Sequence, residues 1–195
     1  MKKTILAITS CLLLAKFAPA MAESSLEFRV AAFFPMDDRF TRIYGDVGVD
    51  YQIEYSTTIF CCSCLEAWVN LDWYPKHGHV RDCGSSDIDL LNLGVGLKSS
   101  FCMCSCFYPY LGIGPSFGWV WIDNRMKCCD QCHKKKDHDS EFAVGVLVKS
   151  GLLYYFGCNL FVDLFVDYLY QPVHFHHRHV DVGGFKTGLG LGVCF

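Results

Sequence analysis

Cysteine is the residue type with the greatest capacity for chemistry in this sequence. Most of the 13 cysteines fall into three short clusters. The clusters are Cys61, Cys62 and Cys64; Cys102, Cys104 and Cys106; and Cys128, Cys129 and Cys132. Thiols at this spacing form disulfides in an oxidising compartment or bind soft metals. The segment from Cys129 to His133 matches a metal-binding CxxC motif only weakly, so we treat all three clusters as disulfide candidates.

The histidines form a second group. Four of the eight histidines crowd one short segment, and they are His174, His176, His177 and His179. Clustered imidazoles can bind zinc or copper, but the spacing of known zinc motifs is absent. We interpret the segment as a solvated polar loop. The sequence therefore predicts no metal and no other cofactor, with these four histidines as weak candidate ligands.

The elements that position these side chains follow from a period of two. In the last segment Leu189, Leu191 and Val193 alternate with glycines, which is the pattern of a strand with one apolar face. Eight stretches of roughly ten residues behave this way, as membrane-spanning strands do. They are Leu26–Phe34, Val49–Ile59, Leu65–Tyr74, Ile88–Ser100, Tyr108–Ile122, Phe142–Tyr155, Leu160–Tyr170 and Phe185–Phe195. We predict an all-β, eight-stranded antiparallel up-and-down transmembrane barrel.

Charged residues fall on the face opposite the apolar one. The predicted lumen network is Arg29, Glu54, Glu66, Lys98, Lys149, Asp163, Asp167 and Lys186. Buried charges are tolerated only when they are paired, and the interior of eight strands is just wide enough for side chains. We expect ion pairs that plug the barrel, with Lys186 within reach of Asp167. The alternative is a gated pore whose surplus acids favour cations.

The first residues have the composition of an export signal. Lys2 and Lys3 precede an apolar run, and Ala20-Met21-Ala22 is a typical cleavage site. We expect a Sec-type signal peptide over 1–22, cleaved near Ala22, and a barrel domain over 23–195. The run is shorter than the ~20 apolar residues of a spanning helix, and a lipoprotein signal ending at Cys11 is the other alternative. With a net charge of −3 and a pI near 6.2, nothing in the composition indicates nucleic-acid binding, and we expect no nucleic-acid partner.

The sequence resembles the small outer-membrane barrels of the OmpA/OmpX type in its signal peptide, its eight alternating strands and its terminal Phe195. The connections also alternate between short turns and long polar loops, as in those barrels. The resemblance implies a bacterial outer-membrane location, with lipid and lipopolysaccharide as neighbours. It also implies that the barrel-assembly machinery reads the C-terminal strand, with Phe195 as the signal. The cysteine clusters depart from this family, whose members are usually cysteine-poor. A soluble barrel is the main alternative fold, but the glycine-rich polar face suits a crowded lumen better.

We expect a structural role in the envelope, with loops presented for surface interaction. A closed barrel needs no disulfides for stability, and adjacent thiols such as Cys61 and Cys62 cannot easily all pair within one turn. Disulfides to other envelope proteins are therefore favoured. The resemblance also includes barrels that modify lipid A, which need a placed nucleophile or a His with a carboxylate. His179 and Asp181 are close in sequence, but no serine accompanies them, so we predict that the protein is not an enzyme.

Overall fold

The structure, a computed structural model, describes residues 24–59, 65–80, 84–101, 106–126, 136–156, 159–175 and 178–195. The predicted signal peptide lies outside these ranges. Ten strands and one short helix occur in the described chain. The elements are β1 (Ser24–Pro35), α1 (Asp38–Tyr44), β2 (Gly48–Thr58), β3 (Leu65–Val80), β4 (Gly84–Ser100), β5 (Phe107–Met126), β6 (Lys136–Phe156), β7 (Leu160–Tyr170), β8 (Pro172–Phe175), β9 (Arg178–Asp181) and β10 (Gly184–Cys194).

Eight of the strands close into one antiparallel barrel, which confirms the predicted fold class. The order around the wall is β1, β10, β7, β6, β5, β4, β3 and β2, while β8 and β9 form a separate hairpin. The first and last strands close the cylinder. At the end of the barrel where the described chain starts and finishes, Ser24 and Phe195 exchange two backbone hydrogen bonds of 3.1 and 2.9 Å. We call this the terminal end and the opposite one, which carries α1, the helix end.

The alternation of the sequence separates an apolar exterior from a polar interior. On β10 the outward side chains of Leu189 and Leu191 are 60% and 61% exposed, while the inward side chain of Lys186 on the same strand is 1% exposed. The same holds for the other seven wall strands, whose outward residues are mainly aliphatic or aromatic. An apolar band around a closed hydrogen-bonded wall is what a lipid environment requires.

No helix in the described part of the chain is long and apolar enough to cross a membrane.

Four strands run further past the helix end than the sequence indicated. The register of β3 with β4 continues to Val80 opposite Gly84, and that of β5 with β6 to Arg125 opposite Lys136. The sequence analysis assigns the residues of these extensions to loops. Polar side chains occupy both faces there, so the alternation of apolar and polar residues that marks a strand is absent. The first long connection also contains α1, and the fourth contains the β8–β9 hairpin.

Glycines shape the wall around one large lumen side chain, Trp68. The indole is 1% exposed and lies against Gly94, Gly96 and Gly112. A Cβ atom on Gly96 would come within 2.6 Å of the indole and even closer to the backbone carbonyl of Ile113. Because a backbone carbonyl in a strand cannot rotate away as a side chain can, this glycine is required for the close approach of β4 to β5.

We predict that Gly96→Ala lowers the free energy of unfolding by about 1–3 kcal/mol, the usual cost of overpacking a filled interior. The measurement is the urea midpoint of the barrel refolded in detergent. Val95→Ala, which trims the adjacent outward residue, is the matched control and should have a smaller effect. An unchanged midpoint for Gly96→Ala would show that the wall is looser here than its backbone distances indicate.

The ion-paired lumen as candidate functional site

Arg29 on β1 is the centre of the lumen. Its side chain is fully buried, and its guanidinium contacts carboxylates from β1, β2 and β7. The distances are 3.4 Å to Glu27, 3.3 Å to Glu54, 3.2 Å to Asp163 and 3.0 Å to Asp167. The Phe165 ring lies 3.5 Å from the guanidinium carbon on one face. The planar group thereby uses both its donors and its π surface, which a lysine could not do.

Two lysines extend this cluster across the lumen. Lys149 on β6 contacts Glu54 and lies 3.4 Å from Asp167. Lys98 on β4 contacts Glu54 at 3.1 Å and Glu66 at 3.3 Å. Glu54 is thus shared by three cations, and the sequence-predicted residues from six strands come together in one group.

Tyr110 on β5 joins the same group. Its hydroxyl donates to Asp163 at 2.7 Å and accepts from Arg29 at 3.1 Å. The sequence analysis missed this residue, although Tyr110 has the same inward parity as Gly112 and Gly114. We name the group around Arg29 the lower cluster, since it lies toward the terminal end.

Lys186 forms a separate upper cluster. It lies opposite Asp167 in the register of β10 with β7, as its place in the sequence indicated. Its ammonium nevertheless contacts Asp50 at 3.0 Å and Asp72 at 2.7 Å. Asp167 is already held by Arg29 and Lys149, so Lys186 pairs across the lumen with β2 and β3 instead.

An apolar layer seals the helix end above the charges. Phe40 and Tyr44 of α1 pack down on Phe33 and Tyr74. The other members of this layer are Ile88, Leu90, Val120, Ala143, Val173 and Val182. The Tyr44 hydroxyl also hydrogen-bonds to Ser86 on β4 at 2.8 Å. The helix therefore acts as a stopper at the mouth of the barrel.

Asp37 fixes the start of this stopper. Its carboxylate accepts backbone N–H bonds from Arg39 at 2.8 Å and from Asp181 at 3.2 Å. Partial burial acts to raise the pKa of Asp37, but these backbone hydrogen bonds outweigh it and hold the pKa below its ordinary value. One side chain thus caps α1 and ties it to the β8–β9 hairpin.

A second apolar layer fills the terminal end. Tyr110, Leu153 and Phe161 form its buried centre, and Tyr108, Tyr155 and Cys194 pack against them. Two aromatic side chains at strand ends, Tyr108 and Tyr155, therefore turn inward rather than toward lipid. Charges in the middle and apolar layers at both ends leave the lumen filled along its length.

The remaining sequence candidates are placed only in part. Cys106 is exposed and, like Cys194, forms no disulfide within the described ranges. The other cysteines of the three clusters and the side chains of the four histidines lie outside the described residues. Among the residues that the structure does describe, no group of three His, Cys, Asp or Glu side chains could hold a metal. The Phe195 side chain is 56% exposed, and its role as an assembly signal stays a prediction.

Several solved structures share this fold. The outer membrane protein OprG from Pseudomonas aeruginosa has a TM-score of 0.62 and 12% identity, covering 89% of this chain and 96% of that one. A major outer membrane protein from Thermus thermophilus has a TM-score of 0.62 and 12% identity, with 89% and 99% covered. Neisserial surface protein A has a TM-score of 0.58 and 18% identity, with 89% and 96% covered.

The chain thus has the fold of small eight-stranded outer-membrane barrels, as the sequence resemblance predicted. These identities establish a shared fold and no more. No protein-family model and no curated protein matches the sequence.

We predict that Arg29→Leu destabilises the barrel by about 3–5 kcal/mol, because it leaves buried carboxylates without their cation. Adding Asp163→Asn should restore part of the loss, since the double variant removes one of the uncompensated charges. The measurement is the free energy of unfolding in urea. Arg39→Leu on the exposed face of α1 is the control and should change it by no more than about 0.5 kcal/mol. An equally small loss for Arg29→Leu would contradict the central position of Arg29.

Proposed function

We propose that this protein is a non-conducting structural barrel of a bacterial outer membrane that anchors surface-exposed segments. The observation that carries the proposal is the filled lumen. A pore needs a continuous polar path, whereas here two apolar layers enclose a largely buried ion-pair network. Arg29, Lys149 and Lys186 are each at most 1% exposed, so these three cations do not line an open aqueous path.

The proposed location follows from the exterior and from the fold. The outward side chains of all eight wall strands are mainly apolar, and the similar solved structures include bacterial outer-membrane proteins. We place the terminal end at the periplasm and the helix end outside, as in barrels with short periplasmic turns. Lipid and lipopolysaccharide would then surround the wall, and the barrel-assembly machinery would engage β10.

The four extended strands supply the presented surface. The pairing of β2 with β3 ends at Trp73, and that of β7 with β6 ends at Tyr170. Past these points β3 stays paired with β4, and β5 with β6. A paired β-structure is stiffer than an open loop of the same length, so it would hold its tips at a fixed height above the lipid. We propose no catalytic step, because the charged side chains that the strands bring together are engaged with one another inside the lumen.

We predict that the purified barrel gives no measurable conductance steps in a planar lipid bilayer. An empty bilayer and a known open porin are the negative and positive controls. The double variant Phe40→Ala with Tyr44→Ala removes the stopper side chains of α1 while the ion pairs remain. It should conduct no more than wild type, because the lower cluster still closes the lumen. Stable wild-type channels would overturn the structural proposal in favour of the pore.

We also propose that the cysteine clusters link the barrel to other cysteine-rich envelope proteins. Cys106 supports this, because its thiol is exposed next to the start of β5 at the terminal end. A disulfide needs Cα atoms closer than about 7 Å, which one barrel can satisfy for only some of its cysteines. The periplasm is oxidising, so the remaining thiols would pair with neighbouring proteins.

Non-reducing gels of native envelopes should show high-mass species that collapse to one monomer band on reduction. Replacing Cys61, Cys62, Cys64, Cys102, Cys104 and Cys106 by Ser should remove most of these species. The same number of Ser replacements at Cys83, Cys128, Cys129, Cys132, Cys158 and Cys194 is the matched comparison. Unreduced envelopes that contain only monomer, with thiols trapped during lysis, would refute the cross-linking proposal.

A further inference from the structure

The β8–β9 hairpin brings two histidines to opposite positions of one ladder. Its register pairs His174 with His179, one step from the pair formed by Val173 and Val180. The sequence analysis predicted no metal because the spacing of the histidines along the chain matches no known motif. Pairing across the hairpin is a different kind of juxtaposition, since it depends on the register of two strands rather than on that spacing.

A backbone hydrogen bond at the base of the hairpin fixes the kind of pair that the two histidines form. The N–H of Val182 donates to the carbonyl of Gln171 at 3.1 Å, and these two residues are opposite each other when the register is continued by one step. Hydrogen-bonded and non-hydrogen-bonded pairs alternate along an antiparallel ladder. His174 and His179 lie three steps further on, so they form a non-hydrogen-bonded pair. This is the closer of the two arrangements, with Cα atoms about 4.5 Å apart.

The two positions lie on the face of the hairpin opposite the barrel interior. Val173 is 1% exposed and belongs to the apolar layer that seals the helix end. Successive residues of a strand lie on opposite faces, so positions 174 and 179 share the other face, which we call the outer face of the hairpin. A ligand therefore approaches this face without passing through the lumen.

The hairpin is held at its base, which keeps its register fixed. The Oδ1 atom of Asp181 accepts backbone N–H bonds from Gln171 at 3.0 Å and from Gly183 at 2.8 Å. The backbone N–H of Asp181 donates to Asp37 at 3.2 Å, the residue that also caps α1. Strands braced in this way hold their opposite positions before a ligand arrives, and such preorganisation lowers the cost of binding.

We infer that His174 and His179 together bind one divalent transition-metal ion on the outer face of the β8–β9 hairpin. Imidazole is a ligand suited to copper, nickel and zinc, and Cu²⁺ forms the most stable complexes of the three. The Cβ atoms of residues paired in this way are about 5 Å apart, so two imidazoles at these positions can fill two neighbouring coordination positions of one ion. Water fills the others, which makes the ion exchangeable. The inference requires only the hairpin and does not depend on the proposed envelope role.

The experiment uses Cu²⁺ as the probe and the mature barrel refolded into detergent. The protein is prepared without a polyhistidine tag, and its accessible thiols are capped with iodoacetamide after refolding so that cysteine does not bind the metal. Calorimetric titration should show one Cu²⁺ ion bound per barrel. Electron paramagnetic resonance of the bound ion should show the nitrogen couplings of two imidazoles. A barrel that binds no Cu²⁺, or binds it through oxygen ligands alone, would overturn the inference.

Variants identify the two ligands, and the different gel mobility of unboiled and boiled samples checks that each variant is folded. His174→Ala and His179→Ala should each weaken Cu²⁺ binding by at least about tenfold and leave one imidazole coupling. His77→Ala is the matched control, because the side chain of this histidine is 88% exposed, and it should bind Cu²⁺ as wild type does. The double variant His176→Ala with His177→Ala should keep the two-imidazole spectrum. Loss of that spectrum in the double variant, or wild-type binding by His174→Ala or His179→Ala, would show that other histidines hold the ion.

Discussion

The narrow lumen of an eight-stranded wall is the constraint on which the rest of the structure depends. Every inward side chain must share a space that holds little water, so each inward charge needs an oppositely charged neighbour. This requirement places Arg29 among four carboxylates. It also explains the inward glycines, since Trp68 and the long cationic side chains need the room that a larger residue on β4 or β5 would take.

The vertical order of the interior follows from the same constraint. Charged groups occupy the middle, where they reach partners on all sides, and aromatic layers close both ends. The upper layer depends on α1, and α1 depends on Asp37 and on Gly45, whose positive φ of 83° ends the helix without strain. A few loop residues therefore hold the apolar cover above the charged middle.

The sequence predicted the faces of the strands well and the contacts across the lumen less well. A period of two fixes the side to which a residue points. The predicted bounds of β7 therefore match the observed ones, and Asp163 and Asp167 were correctly predicted to point inward. It cannot indicate how far a long side chain reaches, and Lys186 therefore pairs with Asp50 and Asp72 rather than Asp167. The α1 stopper was missed because seven residues are too few for a helical period, and the strand extensions because both their faces are polar.

The position of Arg29 at the start of the chain has a consequence for the order of assembly. Its bond to Asp167 joins residues 138 positions apart, and Asp163 is almost as distant. Before β7 has joined β1 and β2, the central cation of β1 has only Glu27 and Glu54 as partners. The barrel cannot reach its stable interior until β7 arrives, and such distant pairings form slowly. The charged side chains of the unfinished chain must therefore stay hydrated until β7 has paired.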